Sequence, residues 1–359
     1  MPAEQQRIAL MLLTAFVVAG CQSIGPGSIA RDRFDYSGSI SESWKRQTLL
    51  NIVKLRYLDP PIFVDVGQIV AGYSLETGVN AGGQISSDRA IQGNSLVLGG
   101  SAKFTDRPTI TYTPLTGNKF IKGLMTPLLP ESVFFTIQSG WPADAVLFAA
   151  VAAINGLKNQ ETSFGGVTPP DPDFLRTLAL LHKIQLSGAV ALRVVQDAQK
   201  RETSLLTFRA RDVPPKTLED IHELRRLLRL DPDAGEFKLV FGASPTNDRE
   251  VAVLTRSILH LMQTLASQID VPAEDLARTR AVPGWESSDQ PGATRLIKIR
   301  SSNSRPAEAF VAIDYRGHWF WIDDSDLKSK RVFAFMMMLF TLAETGEKEN
   351  LPLITIPAQ

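Results

Sequence analysis

The four histidines are the side chains of this sequence best suited to proton transfer or metal binding. His182, His222, His260 and His318 are far apart, and none has a second histidine or a cysteine at a metal-ligand spacing. The sequence also contains no Gly-x-Ser-x-Gly nucleophile elbow and no phosphate-binding glycine loop. We therefore expect neither a metal nor a cofactor, and we predict that the protein is not an enzyme.

One polar cluster could nevertheless carry chemistry, in the segment YRGHWFWIDDSD. If Asp314 and His318 lie at a strand end beside the aspartates that follow, they could bind a metal or exchange protons with a substrate. The simpler interpretation is a turn at Asp323, Asp324 and Asp326 that leads into the N-cap of the last helix.

The same segment contains two tryptophans, Trp319 and Trp321, whose spacing places them on one face of a strand. Two aromatic rings in a row could stack against a glycan. Aromatic residues of this kind more often belong to the core or to a contact between subunits. Ligand contact and subunit contact are therefore both open for these residues.

Cys21 is the only cysteine, which excludes an internal disulfide framework. It follows Arg7, an apolar run over residues 8–18, and the small residues Ala19 and Gly20. As a helix, that run covers about 16 Å, whereas the hydrocarbon core of a bilayer is about 30 Å thick. A short apolar run with small residues at its end predicts an export signal rather than a membrane span.

The quartet Val18-Ala19-Gly20-Cys21 resembles the lipobox of bacterial lipoproteins, although Val18 stands where leucine is commoner. The resemblance covers the signal region alone. It implies cleavage between Gly20 and Cys21, a diacylglycerol on the Cys21 sulfur, and acylation of the new amine. Two or three acyl chains would anchor the protein stably in membrane lipid. Gln22, rather than aspartate, implies sorting to the outer membrane of the cell envelope. The alternative is an ordinary secretory signal with an incidental cysteine.

The composition is that of an ordinary globular protein. Lys plus Arg and Asp plus Glu each number 38, so that nothing suggests a nucleic-acid partner. After removal of the signal about 340 residues would remain, enough for two modest domains or one large one. Helical patterns are mixed with antiparallel hairpin patterns, which predicts an α+β fold rather than a doubly wound sheet.

The clearest pattern after the signal is a long amphipathic β-hairpin over residues 73–106. Apolar and polar residues alternate in two runs that are separated by the turn-like segment SSDRAIQGN. Folding the runs about a centre between residues 89 and 90 places Leu75 opposite Phe104, and the apolar positions of both strands then share one side. The apolar positions that we assign to this hairpin include Tyr73, Leu75, Val79, Ile85, Leu96, Leu98 and Phe104.

Two interpretations of this hairpin compete. Both runs reach the length of about 9–11 residues that a transmembrane strand needs, in which case several subunits would each contribute a hairpin to a shared pore. In the other interpretation the hairpin is soluble and packs one face on the core. The apolar face is weak, since it includes Thr77, Gly83, Gly100 and Ala102.

The remaining patterns predict five parts of the chain. These are a signal peptide at 1–20, a flexible lipidated tether at 21–38, an N-terminal α/β region with the long hairpin at 39–158, a linker rich in Gly and Pro at 159–172, and a C-terminal α+β domain at 173–359.

Periodicity also predicts the main helices of the mature chain. We expect a helix at 39–58, where Ser39 and Glu42 form a capping-box pattern. Arg316-Gly317 predicts a tight turn between strands at 309–315 and 318–322. Further helices are expected at 130–139, 142–157, 173–186, 217–230, 251–268 and 326–342.

The leading hypothesis is an outer-membrane lipoprotein that acts as a non-enzymatic structural or transport component of an envelope assembly. It would bind other envelope proteins or its own copies, and in the latter case the hairpins would line a pore. The first alternative is a monomeric, lipid-tethered periplasmic binding or adaptor module that uses strand 318–322. The second alternative is a hydrolase of envelope polymers that depends on His318.

Overall fold

A computed structural model describes residues 26–70, 72–84, 95–163, 166–196, 202–209, 213–285 and 292–343. These ranges contain both helices and antiparallel hairpins, which confirms the predicted α+β class. The helices are α1 (Pro26–Arg56), α2 (Asn118–Met125), α3 (Pro130–Gln138), α4 (Ala143–Ala150), α5 (Pro172–Leu186), α6 (Pro215–Leu227), α7 (Ile258–Ala266), α8 (Ala273–Ala277) and α9 (Leu327–Ala343).

The strands of these ranges form one large sheet and several small ones. They are β1 (Phe63–Val70), β2 (Tyr73–Gln84), β3 (Ser95–Asp106), β4 (Thr109–Leu115), β5 (Val151–Ile154), β6 (Leu157–Lys158), β7 (Glu161–Ser163), β8 (Gly166–Thr168), β9 (Val190–Gln196), β10 (Glu202–Phe208), β11 (Glu236–Phe241), β12 (Glu250–Thr255), β13 (Arg300–Ser302), β14 (Ala309–Tyr315) and β15 (His318–Asp323).

The chain divides into two compact units, and the division falls within α1. The first unit comprises the chain up to Ser43 together with Phe63–Leu115, and it includes β1 to β4. The second unit comprises Trp44–Ile62 and the chain from Thr116 onward. The predicted linker at 159–172 does not separate these units. It lies inside the second one, where it includes β7 and β8.

Polar residues of the predicted linker are buried because they satisfy backbone groups of the second unit. Asn159 Nδ2 donates to the carbonyls of Phe148 (2.8 Å) and Val151 (2.6 Å). Gln160 exchanges two hydrogen bonds with the backbone of Thr294, at 2.9 and 2.6 Å. Polar composition alone does not distinguish such a bonded segment from a solvated linker, since a buried polar group is stable when it is hydrogen-bonded.

The prediction of a helix start at Ser39 was wrong, because Ser39 lies inside helix α1. Residues 26–38, expected to be part of the lipidated tether, are helical. The C-terminal part of α1 belongs to the second unit, where Leu49, Ile52 and Val53 are completely buried. Burial of each such side chain contributes roughly 1.5–3 kcal/mol.

The six-stranded sheet of the second unit has the order β6-β5-β12-β11-β10-β9, and two of its strands were predicted as helix. Residues 251–268 were expected to be one helix, but β12 occupies their start and pairs in parallel with β11. Likewise, helix α4 ends at Ala150 and the chain continues as β5, within the helix expected at 142–157. Short apolar runs fit a strand buried on both faces as well as a buried helix, so periodicity cannot decide between them.

A three-stranded sheet, with β15 between β13 and β14, lies near the end of the second unit. The predicted turn at Arg316-Gly317 is confirmed, and Tyr315 pairs with His318 across it. Both turn residues have positive φ angles, 53° for Arg316 and 82° for Gly317. This is the type I′ geometry that matches the twist of two antiparallel strands. Helix α9 follows, close to the predicted range of 326–342.

Candidate functional site

The predicted hairpin is present with the predicted register. Strands β2 and β3 form twelve antiparallel pairs, among them Leu75 with Phe104 and Val79 with Gly100. Polar positions face polar positions in the alternate pairs, such as Glu76 with Lys103. A strand of 12 residues spans about 40 Å at roughly 3.4 Å per residue. We call β2 and β3 together the distal segment.

Strands β1 and β4 extend this hairpin, and we call them the basal segment. Their pairing Val70–Thr109 and the pairing Tyr73–Asp106 of the distal segment have the same register. Between these two pairs, the Arg107 N–H donates to the Gly72 carbonyl at 2.9 Å. The distal and basal segments are therefore one continuous two-stranded ribbon.

A β-bulge between Val66 and Gln68 keeps the apolar positions of the ribbon in phase. Before the bulge the apolar residues are Val64 and Val66, at even-numbered positions. After it they begin at Ile69, an odd-numbered position, so the alternation is shifted by one residue. The extra residue, Gly67, absorbs that step, as a bulge does by placing two residues opposite one. A Cβ at Gly67 would lie 3.2 Å from Thr113 Oγ1. The apolar positions of the basal segment consequently continue those of the distal segment.

Each backbone N–H of β3 and β4 either donates to the partner strand or points away from it, and the hydrogen-bond pattern shows which. Because Arg107 donates to the residue opposite it, residues 101, 103 and 105 and residues 109, 111 and 113 donate inward, across the ribbon. The N–H groups of the alternate residues, which include Ala102 and Ile110, point away from the partner strand. The two outer edges of the ribbon are formed by these alternate positions. Among the described residues, β1 to β4 pair only within the ribbon.

The basal segment exposes apolar side chains. Ile110 is 38% exposed and Tyr112 is 62% exposed, and both belong to the apolar positions of β4. An isolated two-stranded ribbon is marginally stable in water, because it has no second layer against which to bury an apolar face. This part of the protein therefore presents an apolar face and two open edges.

The described ranges do not cover every predicted site residue. Gly20, Cys21 and Ile85 lie outside them. Tyr73, Leu75 and Val79 lie in β2, and Leu96, Leu98 and Phe104 lie in β3, at the predicted pairing positions. In the described part of the chain, none of the helices combines the length and the apolar composition needed to cross a membrane.

Trp319 and Trp321 lie in the central strand β15, and arginines cover both rings. The guanidinium carbon of Arg305 is 5.5 Å from the centre of the Trp319 ring, and that of Arg300 is 5.0 Å from the Trp321 ring. Arg300 is held in place by an ion pair with Asp323 at 3.1 Å. A ligand that stacks on the arginine-facing side of either tryptophan would have to displace that arginine.

The polar cluster around His318 is split into separate hydrogen bonds. His318 Nδ1 lies 2.9 Å from Asn303 Oδ1. Asp323 accepts hydrogen bonds from the side chain and backbone of Ser325, which lower the pKa of the Asp323 carboxyl. Asp326 accepts from the backbone and side chain of Ser329, as an N-terminal helix cap does. In the part of the chain that the structure describes, no group of three metal-binding side chains is present.

Sequence reasoning missed a second charged cluster, in which Glu161 accepts a hydrogen bond from His260 at 2.9 Å. The neighbouring Arg256 is buried and donates to the carbonyls of Phe148, Ala149 and Gln160. Burial lowers the pKa of Arg256 to about 10, while Glu161, 3.8 Å away, opposes the shift. The cluster joins β7 to α7. Because Glu161 and His260 are 99 positions apart in the sequence, no local pattern could have predicted their pairing.

The second unit also contains an apolar cavity of about 470 Å³, between α3, the end of α5 and strand β9. Its polar lining side chains are Gln138, His182 and Gln185, and both ends of the Gln185 amide are hydrogen-bonded within the protein. Gln185 donates to the carbonyls of Ile137 (2.8 Å) and Trp141 (2.7 Å), and it accepts from the Ala143 N–H (2.9 Å). The cavity suits a small apolar ligand better than a charged one.

The chain matches no protein-family model, no curated protein and no solved structure.

Proposed function

We propose that this protein is a lipid-anchored, non-enzymatic component of the outer membrane, and that its copies assemble so that their ribbons form a pore. The observation that carries the proposal is the register of the distal segment. Of its twelve pairs, the five from Leu75–Phe104 to Gly83–Leu96 that share the apolar face contain no charged residue. Transmembrane strands need this alternation, with one face toward lipid and the other toward water.

The length of the distal segment supports the same function. From Leu75 to Gly83, and from Leu96 to Phe104, the apolar positions span nine residues on each strand and include no charged residue. A tilted strand of about 9–11 residues crosses the hydrocarbon core. The charges of Glu76 and Lys103 occupy the alternate face, which would line the water-filled interior.

The resemblance of Val18-Ala19-Gly20-Cys21 to a lipobox supports the proposal from an independent direction. Acylation of Cys21 would hold each copy at the membrane surface. Anchoring confines the copies to two dimensions and raises their effective concentration, which favours assembly. We therefore expect the lipidated protein to permeabilise vesicles that the unlipidated chain does not.

The test is release of a trapped dye from vesicles by the full-length lipidated protein. Val79→Arg places a charge at an apolar position, where it would cost about 2–4 kcal/mol per strand in contact with lipid. The matched control is Asn80→Arg, one residue later, on the polar face. We expect dye release to fall at least tenfold for Val79→Arg and to change little for Asn80→Arg. Equal release by the two variants would contradict the proposal.

A second candidate is a monomeric, lipid-tethered binding module, which the apolar cavity favours. In that case an apolar ligand would bind between α3 and β9, and Ala191→Trp, which fills the cavity, would abolish binding. The same substitution would leave dye release unchanged if the ribbon forms the pore. A fluorescent apolar probe measures the first effect, and the vesicle assay measures the second.

A further inference from the structure

The outer edges of the distal segment are open and suited to pairing with another strand. Neither β2 nor β3 contains a proline, so every outward-pointing N–H along the two edges is available. Unpaired edges of this length tend to pair with strands of other chains. In soluble proteins, edge strands are usually short, carry charged side chains, or are covered by a helix or loop. In the described part of the chain nothing pairs with either edge.

The basal segment differs, because prolines interrupt its outer edge. Pro108 precedes β4 and Pro114 lies within it, and both occupy positions whose N–H would point outward. Proline at such a position removes an edge donor without breaking the ribbon's own ladder. The pairing-competent edge of the strand that runs from β3 into β4 therefore ends at Pro108.

The charged residues of the two strands favour another copy of the chain as the partner. β2 contains one charged residue, Glu76, and β3 contains Lys103 and, at its end, Asp106. Glu76 and Lys103 pair with each other within one ribbon, and their side chains share its polar face. If β2 of one copy pairs with β3 of the next in the same register, Glu76 also lies beside the lysine of the neighbouring copy, whereas pairing of β2 with β2 in the corresponding register brings two glutamates together.

We propose that copies of this chain pair edge to edge, β2 of one copy with β3 of the next, and that this pairing stops at Pro108 and leaves the basal segments as unpaired stalks. The inference rests on the proposed function. Since β2 and β3 run in opposite directions, the arrangement is antiparallel throughout. A contact between two different edges repeats from copy to copy and closes into a ring when the rotation permits.

Three proline substitutions in the full-length lipidated protein test this inference, with native mass in mild detergent as the readout. Ala102→Pro removes an outward donor of β3, and Ser101→Pro, one residue earlier, removes an inward donor. Ile110→Pro removes an outward donor beyond Pro108. Far-UV circular dichroism of each variant reports whether the ribbon itself persists.

We expect a discrete oligomer for the wild type, monomers for Ala102→Pro with the β signal retained, and the wild-type mass for Ile110→Pro. Ser101→Pro should lose both the oligomer and part of the β signal. This inference would be overturned if the Ala102→Pro variant remained oligomeric, or if Ile110→Pro dissociated the oligomer as fully as Ala102→Pro does. Neither result would contradict the proposed pore. A monomeric wild type would overturn the pore as well.

Discussion

The second unit and the ribbon place their aromatic residues in different environments. Phe174, Phe237 and Phe320 of the second unit are completely buried, whereas Tyr112 of the ribbon is 62% exposed. The second unit can bury such residues because helices pack against its six-stranded and three-stranded sheets, while the ribbon is two strands wide. The ribbon therefore has an exposed apolar surface. Such surfaces typically mark contacts with another protein or with a membrane.

Because of this difference, we expect removal of an aromatic side chain to reduce stability much more in the second unit than in the ribbon. This is the largest effect that we expect. Phe320→Ala should destabilise the second unit by about 3–5 kcal/mol, because it leaves a cavity next to Tyr57, whose ring centre is 6.1 Å away. Tyr112→Ala should change the stability of the soluble protein by less than about 0.5 kcal/mol. Urea unfolding followed by far-UV circular dichroism, which reports on both regions, compares the two variants, and equal losses would remove the distinction between the regions.

Glycines of the two regions provide a second comparison. A Cβ at Gly284 would lie 2.3 Å from the Ser267 carbonyl oxygen, beside the buried Arg56. We expect Gly284→Ala to cost about 1–3 kcal/mol or more, since the backbone must move. A Cβ at Gly100, in β3, would meet nothing within 4 Å. Gly100→Ala should therefore be neutral or slightly stabilising in thermal unfolding, and a loss comparable to that of Gly284→Ala would show that the ribbon is covered after all.

The sequence predicted the ribbon better than it predicted the second unit, for a physical reason. In the ribbon one face differs from the other, so that period-two alternation set both the strand type and the pairing of Leu75 with Phe104. Strand β12 is buried on both faces at Val251, Ala252 and Val253, and so the alternation that identifies a strand was absent. The bulge at Gly67 could have been found from the one-residue step in the apolar positions.

Side-chain clusters were harder to predict than strands. The Glu161–His260 pair and the arginines over Trp319 and Trp321 depend on contacts between segments that are distant in sequence. No local spacing encodes such contacts. The turn at Arg316-Gly317 was predictable because its geometry depends on two adjacent residues.

The smallest effect that we expect is a pH dependence of the stability of the second unit. A hydrogen bond from the Tyr315 hydroxyl lowers the pKa of Asp59, and Arg316 adds to this from 3.0 Å. Because the folded pKa lies below the unfolded value of about 3.9, the stabilisation is present above that pH and is lost as the pH falls through the folded pKa.

The variant Asp59→Asn measures this contribution. The carboxylate is partly exposed and screened by solvent, so the variant should lose at most about 1 kcal/mol at pH 7. The difference from the wild type should shrink as the pH falls below about 4, the unfolded pKa, and through the folded pKa. Urea unfolding at pH 7 and at a pH below about 4 gives the comparison, and a difference that grows toward low pH would contradict the assignment. The ribbon contributes nothing to this effect, so dye release should be unchanged.

The most direct test of the account is the native mass of the lipidated protein in mild detergent, with and without residues 73–106. We expect a discrete oligomer that becomes monomeric when the distal segment is replaced by a short turn. The unfolding transition of the second unit should be unchanged by this replacement. A monomer in which the ribbon is intact, or an oligomer of the same size without it, would contradict the claim that other copies of the chain complete the ribbon.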